Sequence, residues 1–314
     1  MLFRLCLVFC LCINTSFAVE TELKVQQWME SMNSAMDTLD YQGTVAFFKN
    51  GRLDTMKYFH ASDNGNQQER LLSLNSPMRE VIREAGKVRC VFKKSKEIVV
   101  NHRPVSGSFI IDLPVEFSSI KSVYQLQALD EESVAMLPAY VVSIVPKDQY
   151  RYARKVWIDK ASFLPLKSEV YDLSGATVEQ VVFTEIQVGN KLAFVDVVEE
   201  VKDAKIKHLH QTELLPIDQA GFVLQNLPLN FQIVFFTKMN AKDAFQSVEH
   251  LLLSDGFSSV SVYREAKAKD TEEGLQTLGS VKSFTKIIDG FQITVLGEVP
   301  ARTVQFIAQG IKLK

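Results

Sequence analysis

The sequence predicts an α+β protein in which a large, curved antiparallel sheet with an N-terminal helix is followed by a smaller α+β domain. Its length of 314 residues suits about two domains. Short runs rich in β-branched and aromatic residues recur between turn signals. The three- and four-residue spacing of amphipathic helices occurs near both ends of the chain. Together these observations predict two sheets, each with a helix packed on it.

The first eighteen residues predict an export signal. Arg4 precedes an apolar run from Leu5 to Ile13, and Ser16-Phe17-Ala18 places small residues where a signal peptidase cuts. The run is shorter than the ~20 residues that span a bilayer. We therefore predict cleavage after Ala18, which leaves Cys90 as the one cysteine of the mature chain and excludes an intramolecular disulfide.

The first predicted domain, residues 19–203, begins with a helix and continues in strands. The helix spans Thr21 to Tyr41 and ends near Gly43, with Val25, Trp28, Met32, Ala35 and Leu39 on one face. A single helix on a wide curved sheet leaves an apolar cavity, or Phe47, Phe59, Phe92 and Phe109 fill that space. The predicted strands are Thr44–Lys49, Arg52–Ala61, Lys87–Phe92, Ile98–Asn101, Phe109–Asp112, Tyr140–Val145, Arg151–Asp159, Leu166–Tyr171 and Thr177–Val188.

The alternation in Lys87–Phe92 predicts that Val88, Cys90 and Phe92 share the buried face of a strand. This makes Cys90 a small core residue rather than a reactive thiol. Arg79 to Arg103 carries eight basic and three acidic residues in a chain of net charge −2. Such a segment is either a site for an anionic partner or an ordinary solvated strand face.

Residues 204–229 form a predicted linker, and residues 230–314 form the second domain. The linker contains Pro216, Gly221 and Pro228. A final helix opens at Pro300 with an apolar stripe of Val304, Ile307, Ala308 and Ile311, and Lys267 to Glu273 is a solvated loop. The predicted strands of this domain are Phe231–Thr237, Val248–Ser254, Phe257–Tyr263, Val281–Ile288 and Phe291–Leu296. The predicted hairpin turns of the whole chain are Asn50-Gly51, Asp255-Gly256 and Asp289-Gly290.

The sequence predicts a binding protein without a cofactor or metal, and not an enzyme. It has no G-x-S-x-G, H-E-x-x-H, Walker or dinucleotide-binding glycine motif. His208-Leu209-His210 offers two imidazoles, fewer than the three or four ligands of a usual metal site, so we interpret it as solvated linker. The slightly acidic composition argues against nucleic-acid binding.

Several segments resemble the RseB/MucB family in order and spacing. Ser76-Pro77-Met78-Arg79-Glu80-Val81 is similar to its Pro-Arg-Arg-Glu-Val stretch, with Met78 in place of one arginine, and Val156-Trp157-Ile158-Asp159 is similar to its Val-Trp-hydrophobic-Asp. In the second domain, Leu227-Pro228, Ser254-Asp255-Gly256 and the run from Ile293 to Pro300 resemble its corresponding segments. The resemblance extends over essentially the whole mature chain.

This resemblance implies a periplasmic regulator of the sigma-E envelope stress response. Its first domain would be a LolA/LolB-like half barrel, and its second would help to grip the periplasmic domain of an RseA-like anti-sigma factor. Binding would shield that partner from a DegS-type protease, and mislocalised envelope lipid such as lipopolysaccharide would release it. The alternatives are a periplasmic lipid or lipoprotein carrier and an envelope hydrolase, and a homo-oligomer stays open.

The candidate binding residues fall into three groups. The first group offers guanidinium groups to anions, the second offers apolar contacts, and the third, with the C-terminal helix, offers contacts to a protein partner. In that order they are Arg79, Arg83 and Arg89; Phe47, Tyr58, Phe92 and Trp157; and Tyr263, Arg264 and Val304.

Overall fold

The computed structural model describes residues 11–75, 79–101, 108–114, 117–195, 201, 203–209, 213–240 and 247–314. Residues 1–10 of the predicted leader, the Ser76-Pro77-Met78 part of the first motif, and His210 lie outside the described residues. Within the described part, no helix is both long enough and apolar enough to cross a membrane.

The predicted N-terminal helix is confirmed as α1 (Leu11–Thr38), which begins before Thr21 and ends three residues before Tyr41. Val25, Met29 and Met32 are fully buried, and their three- and four-residue steps place them on one face. Trp28 stacks on Tyr140 with ring centroids 4.1 Å apart. The helix therefore covers the concave face of the first sheet and forms the main core with it.

The first sheet has twelve described strands in the order β12-β6-β5-β4-β3-β2-β1-β11-β10-β9-β8-β7. Its two edges do not pair, so the sheet is open, and only β12 is parallel to its neighbour. A short helix, α2 (Phe117–Ile120), precedes β7. The strands are β1 (Tyr41–Lys49), β2 (Arg52–Asp63), β3 (Asn66–Ser73), β4 (Glu80–Glu84), β5 (Lys87–Phe92), β6 (Glu97–Asn101), β7 (Tyr124–Val134), β8 (Leu137–Pro146), β9 (Ala153–Asp159), β10 (Pro165–Tyr171), β11 (Thr177–Val188) and β12 (Lys205–Leu209).

The second sheet has six described strands in the order β14-β15-β16-β19-β18-β17, beside a two-stranded pair, β13 with β20. α3 (Ala301–Gln309) follows Pro300 and buries Val304 and Ile307 on this sheet. Ile311 was predicted on the helix but begins β20, because the helix ends before Gly310. The strands are β13 (Phe222–Leu224), β14 (Gln232–Asn240), β15 (Ser247–Ser254), β16 (Ser259–Ala266), β17 (Gly274–Leu278), β18 (Val281–Ile288), β19 (Phe291–Gly297) and β20 (Ile311–Leu313).

Two of the three predicted hairpin turns are confirmed. Asn50-Gly51 and Asp289-Gly290 each join two strands with positive φ at both residues, as a type I′ turn requires. Asp255-Gly256 is wrong as a two-residue turn, because β15 ends at Ser254 and β16 starts at Ser259. We call this four-residue connection, Asp255–Ser258, the docking turn.

The predicted strand Phe109–Asp112 is wrong. These residues belong to a segment without strand pairing, Ser108–Pro114, which we call the crossing segment. It packs on the concave face, where Ile110 and Ile111 join the main core. Its backbone bonds to side chains, since Phe109 N–H donates to Glu69 and Ser168 donates to the Ile110 carbonyl oxygen. Side chains thus satisfy backbone groups that a strand would pair with its neighbours.

The predicted alternation of β5 is also wrong. Val91 is fully buried in a small cluster with Ile82 and Ile98, whereas Val88, Cys90 and Phe92 are half-buried. Both faces of this strand are partly covered, because Val201 packs on the side that the sequence predicted to be solvated. Cys90 is therefore not a core residue, although burial still raises the pKa of its thiol.

The predicted linker contributes one strand to the first sheet and one to the two-stranded pair beside the second sheet. β12 pairs with β6 of the first sheet, and β13 pairs with β20 beside the second. This segment is therefore anchored at both ends, and the domain boundaries at residues 203 and 230 stay a prediction. The loop from Lys267 to Glu273 is mostly exposed, as expected.

Candidate functional site

A large cavity lies between α1 and the concave face of the first sheet. Its volume is about 860 Å³, within the range of small-molecule sites. One side is formed by α1, and the other by β2, β3, β4 and the crossing segment. Its wall includes Asn33, Asp37, His60, Glu69, Arg83 and Pro114.

A buried carboxylate, Glu69, organises the floor of this cavity. Tyr58 donates its hydroxyl proton to Glu69 Oε1 over 2.6 Å, and the Phe109 N–H donates to the same oxygen over 3.2 Å. The hydroxyl of Ser108 donates there too, and the Arg83 guanidinium forms an ion pair with Glu69 Oε2. Arg83 also lies 4.7 Å from the centroid of the Phe109 ring. This network makes the floor polar, where the sequence predicted an apolar cavity or a filled core.

His60 completes the buried polar group beside the cavity. Its ring stacks on Tyr41 with centroids 4.9 Å apart, and its Nδ1 lies 2.7 Å from the Leu39 carbonyl oxygen. A carbonyl oxygen only accepts, so Nδ1 carries the proton of the neutral ring. Burial lowers the pKa of His60 and raises the pKa of Tyr58 well above its usual value. Both side chains therefore stay uncharged at neutral pH.

We expect His60 to make the protein less stable in acid. Burial holds the folded-state pKa of His60 below the ordinary value of 6.5. As the pH falls below 6.5, the unfolded chain therefore binds a proton at His60 more readily than the folded protein does. Between about pH 7.5 and about pH 5.5 this lowers the free energy of unfolding by up to about 1.4 kcal/mol. Urea unfolding at both pH values measures the change. In His60→Asn the loss should be smaller, and an equal loss in this variant and wild type would contradict the assignment; His208→Asn, at an exposed site, is the control.

The three arginines predicted for anion binding do not share one surface. Arg79 is exposed just before β4, Arg83 is buried against Glu69, and Arg89 Nη1 lies 2.7 Å from Glu84 Oε2. Elsewhere in the basic segment, carboxylates also neutralise lysines: Lys93 Nζ lies 3.3 Å from Glu80 Oε2. The role of the three arginines in anion binding stays a prediction. Exposed Arg79 is the most accessible of them.

The four residues predicted for apolar contacts are also divided. Phe47 and Tyr58 pack in the concave core, and Phe92 is half-buried on β5. Trp157 belongs to a separate cluster on the opposite face, where its Nε1–H donates to Glu132 over 2.8 Å. Their proposed roles stay predictions, but they do not line one pocket.

The residues predicted to contact a protein partner lie on or behind the second sheet. Tyr263 stacks on His250 with centroids 4.3 Å apart. Arg264 lies 3.7 Å from the centroid of Phe291. Val304 is fully buried, so α3 presents other side chains to solvent, such as exposed Arg302. The contact role of this element stays a prediction.

Arg151, which the sequence analysis did not single out, joins the two sheets. It is 0% exposed, and its Nε lies 2.5 Å from Oδ2 of Asp255 in the docking turn. It also pairs with Asp148 and donates to the Leu229 carbonyl oxygen. The guanidinium carbon lies 4.9 Å from the centroid of Phe231. One buried cation thus holds the first sheet, the chain entering the second sheet and the docking turn together.

The docking turn inserts an aromatic side chain into the first core. Phe257 is 1% exposed and packs in the main core, with its ring centroid 5.3 Å from that of Tyr124. Tyr124 donates to Asp255 Oδ2 over 2.9 Å, and Arg154 donates to the Phe257 carbonyl oxygen over 2.6 Å. Both core packing and charge therefore fix this turn. The Asp-Gly pair was the sequence signal for it, but the signal indicated a hairpin and not a docking element.

A second cavity, of about 320 Å³, lies where the crossing segment meets the docking turn. Lys49 Nζ lies 3.3 Å from Glu179 Oε2 and also pairs with Glu298 of the second unit. The exposed Asp112 carboxylate in this cleft is attracted by Arg154 and Lys49. The junction of the two units is therefore charged, with groups of both signs contributed by both sides.

Family models match both parts of this chain. Residues 24–208 match the MucB/RseB N-terminal domain, and residues 216–312 match the MucB/RseB C-terminal domain. The Sigma-E factor regulatory protein RseB of Haemophilus influenzae is 24% identical over 310 residues, which cover 96% of this chain and 95% of the relative. The Sigma factor AlgU regulatory protein MucB of Pseudomonas aeruginosa is 26% identical over 293 residues, covering 91% and 90%.

Solved structures share the fold. A crystal structure of MucB in complex with MucA(peri) superimposes with a TM-score of 0.71 at 23% identity, covering 92% of this chain and 99% of that chain. The complex structure of Pseudomonas aeruginosa MucA/MucB gives a TM-score of 0.72 at 24% identity, covering 93% and 99%. The arrangement of an open sheet with an N-terminal helix and a smaller second unit is therefore that of solved proteins.

Proposed function

The chain belongs to the MucB/RseB family, and we propose that it is a periplasmic regulator that binds the periplasmic domain of an RseA-like anti-sigma factor. Bound, it shields this partner from proteolysis and keeps sigma-E inactive. Mislocalised envelope lipid, such as lipopolysaccharide, releases it. The family is regulatory rather than enzymatic, and the predicted leader of residues 1–18 directs the chain to the periplasm.

The observation that carries the proposal is the match of both family domains, in order, over nearly the whole chain. Relatives that cover at least nine-tenths of this chain are named as regulators of sigma-E or AlgU. A protein with this fold, MucB, has been solved in complex with MucA(peri). Because these relatives align over both units, the same class of partner is the simplest assignment for this chain.

The large cavity supports a lipid signal. A ligand shifts an equilibrium between bound and free regulator only if it prefers one of the two states. A cavity of about 860 Å³ in the first unit offers such a ligand a place separate from the second unit. Its lining includes the ion pair of Glu69 and Arg83, which suits a lipid whose polar head enters with part of its chain. The same cavity supports the second candidate, a periplasmic lipid or lipoprotein carrier.

Capture of the partner tests the proposal. Residues 19–314 are immobilised, and the periplasmic domain of the host's own RseA-like protein is added with and without purified lipopolysaccharide. We expect the partner to be captured without lipid. At saturating lipid the dissociation constant for the partner should be at least tenfold larger, since coupling between sites typically spans 5- to 150-fold. Absence of capture, with lipid uptake retained, would contradict the regulator and favour the carrier.

An exposed arginine refines this experiment. Arg79→Ala removes an accessible guanidinium, so we expect lipopolysaccharide to bind less tightly while partner capture without lipid is unchanged. Arg52→Ala, at an exposed position at the start of β2, is the matched control. Equal lipid affinity in Arg79→Ala and wild type would remove Arg79 from the predicted anion contacts.

A further inference from the structure

The crossing segment separates the two cavities and belongs to the wall of both. Ser108 and Ile111 line the large cavity and also the smaller cavity at the junction of the units. Leu113 and Pro114 line the large cavity, whereas Asp112 lines the smaller one. A change in the position of this segment therefore changes both spaces at once.

One end of the segment is bonded to the floor of the large cavity. The Ser108 hydroxyl and the Phe109 N–H both donate to Glu69 Oε1. The Phe109 ring lies under the guanidinium of Arg83, 4.7 Å from its carbon. A ligand that donates a hydrogen bond to Glu69 or accepts one from Arg83 competes directly with these contacts.

The other end of the segment touches the docking turn. A Cβ on Gly256 would lie 2.6 Å from Pro114 Cβ and 2.8 Å from Pro114 Cα, so the two backbones are in close contact. Arg154 and Lys49, both in the junction cavity with Asp112, attract its carboxylate. Movement of Pro114 or Asp112 therefore changes contacts at the junction with the second unit.

The segment can move without breaking the sheet. It is not part of a strand, and its hydrogen bonds to Glu69 and Ser168 are contacts with single side chains. Such contacts can break one at a time, whereas moving a strand breaks a whole row of backbone hydrogen bonds to its neighbours. Its buried residues Ile110 and Ile111 keep it in place when these contacts are intact.

We propose that the crossing segment Ser108–Pro114 couples ligand binding in the large cavity to the position of the docking turn, and hence to the affinity for the protein partner. The inference rests on the proposed function and names the route of its regulation. A ligand head group displaces Ser108 and Phe109 from Glu69, the segment shifts, and Pro114 no longer fits Gly256.

Weakening the segment's anchor tests this route. In Ser108→Ala and in Phe109→Leu, the partner alone should bind within twofold of wild type, whereas lipopolysaccharide alone should bind at least as tightly as to wild type, because it displaces one contact fewer. The ratio of partner dissociation constants with and without lipopolysaccharide should fall at least threefold, because the cavity no longer moves the segment. Ser162→Ala, which removes a part-buried hydroxyl that donates to Asp159, is the control with an unchanged ratio. Wild-type ratios in both test variants would overturn the proposal.

A second readout needs no partner and separates this proposal from the proposed function. The Phe257 and Ser258 amides donate to Asp255 Oδ1 within the docking turn, so their hydrogen exchange reports on its order. In the free protein, lipopolysaccharide should accelerate this exchange at least threefold, and Ser108→Ala should suppress that response. If wild type fails to bind the partner, the proposed function fails, and the exchange result alone decides: acceleration supports the coupling, and unchanged exchange overturns it.

Discussion

Replacement of Arg151 by methionine is expected to destabilise the protein by about 3–5 kcal/mol, the usual cost of leaving one member of a buried ion pair without its partner. Arg151 and Asp255 are both fully buried at their charged ends, and Nε and Oδ2 are 2.5 Å apart. Methionine keeps the apolar stem but leaves the Asp255 carboxylate without the cation. Urea unfolding of the whole chain, with both units present, measures the change in the free energy of unfolding at pH 7.

The double variant distinguishes this ion pair from general loss of packing. Arg151→Met combined with Asp255→Asn should lose less stability than the sum of the two single variants, because the stranded charge is absent. Arg52→Met, at an exposed arginine, should change the free energy of unfolding by no more than about 0.5 kcal/mol. A loss in Arg151→Met as small as in this control would show that the pair does not hold the two units together.

Gly256→Ala is expected to have the second large effect, a loss of about 2–4 kcal/mol from backbone strain and overpacking combined. The φ of Gly256 is +99°, and the added Cβ would lie 2.6 Å from Pro114 Cβ. Pro114 has a rigid ring and cannot rotate away, so the docking turn or the crossing segment must move. Thermal and urea unfolding measure the loss.

Gly290→Ala is the matched control for this substitution. Gly290 also has a positive φ, +81°, but no other heavy atom lies within 4 Å of its added Cβ. It should therefore show only the backbone cost, about 1–2 kcal/mol. If both variants lose the same stability, then contact with Pro114 contributes nothing and the crossing segment is not held by the docking turn.

Local chemistry made much of the fold predictable. The stripe of Val25, Met32 and Ala35 predicted α1, since helical spacing places these residues on one face. Asn50-Gly51 and Asp289-Gly290 predicted hairpins, because these pairs tolerate positive φ at both positions. In each case the deciding interactions are among residues close in the chain.

Polar strands were missed for the opposite reason. β3 (Asn66–Ser73) begins with polar residues and shows no apolar alternation, whereas β7 (Tyr124–Val134) alternates only from Tyr124 to Ala128 and then carries Asp130, Glu131 and Glu132. They form strands because neighbouring strands supply backbone hydrogen bonds: β3 lies between β2 and β4, and β7 pairs with β8. The sheet supplies the stability that the local sequence lacks.

The candidate site was predictable only in part. Arg83 and Tyr58 were selected for different roles, one for anions and one for apolar contact, yet both bind Glu69 in the cavity floor. Glu69 itself was not selected, because nothing in its local pattern distinguishes a buried acceptor from an exposed carboxylate. The three groups met only when strands β2, β3 and β4 paired.

By itself the sequence determined the order of a large and a small α+β unit, the apolar face of α1 and two tight turns, because spacing and backbone preference act over a few residues. The tertiary structure alone decided that Val91 rather than Cys90 is buried, that Ser108–Pro114 crosses the cavity instead of pairing, and that Arg151 binds Asp255, 104 residues away. Burial and charge pairing depend on which surfaces meet in space, and residues so far apart leave no periodic mark on one another.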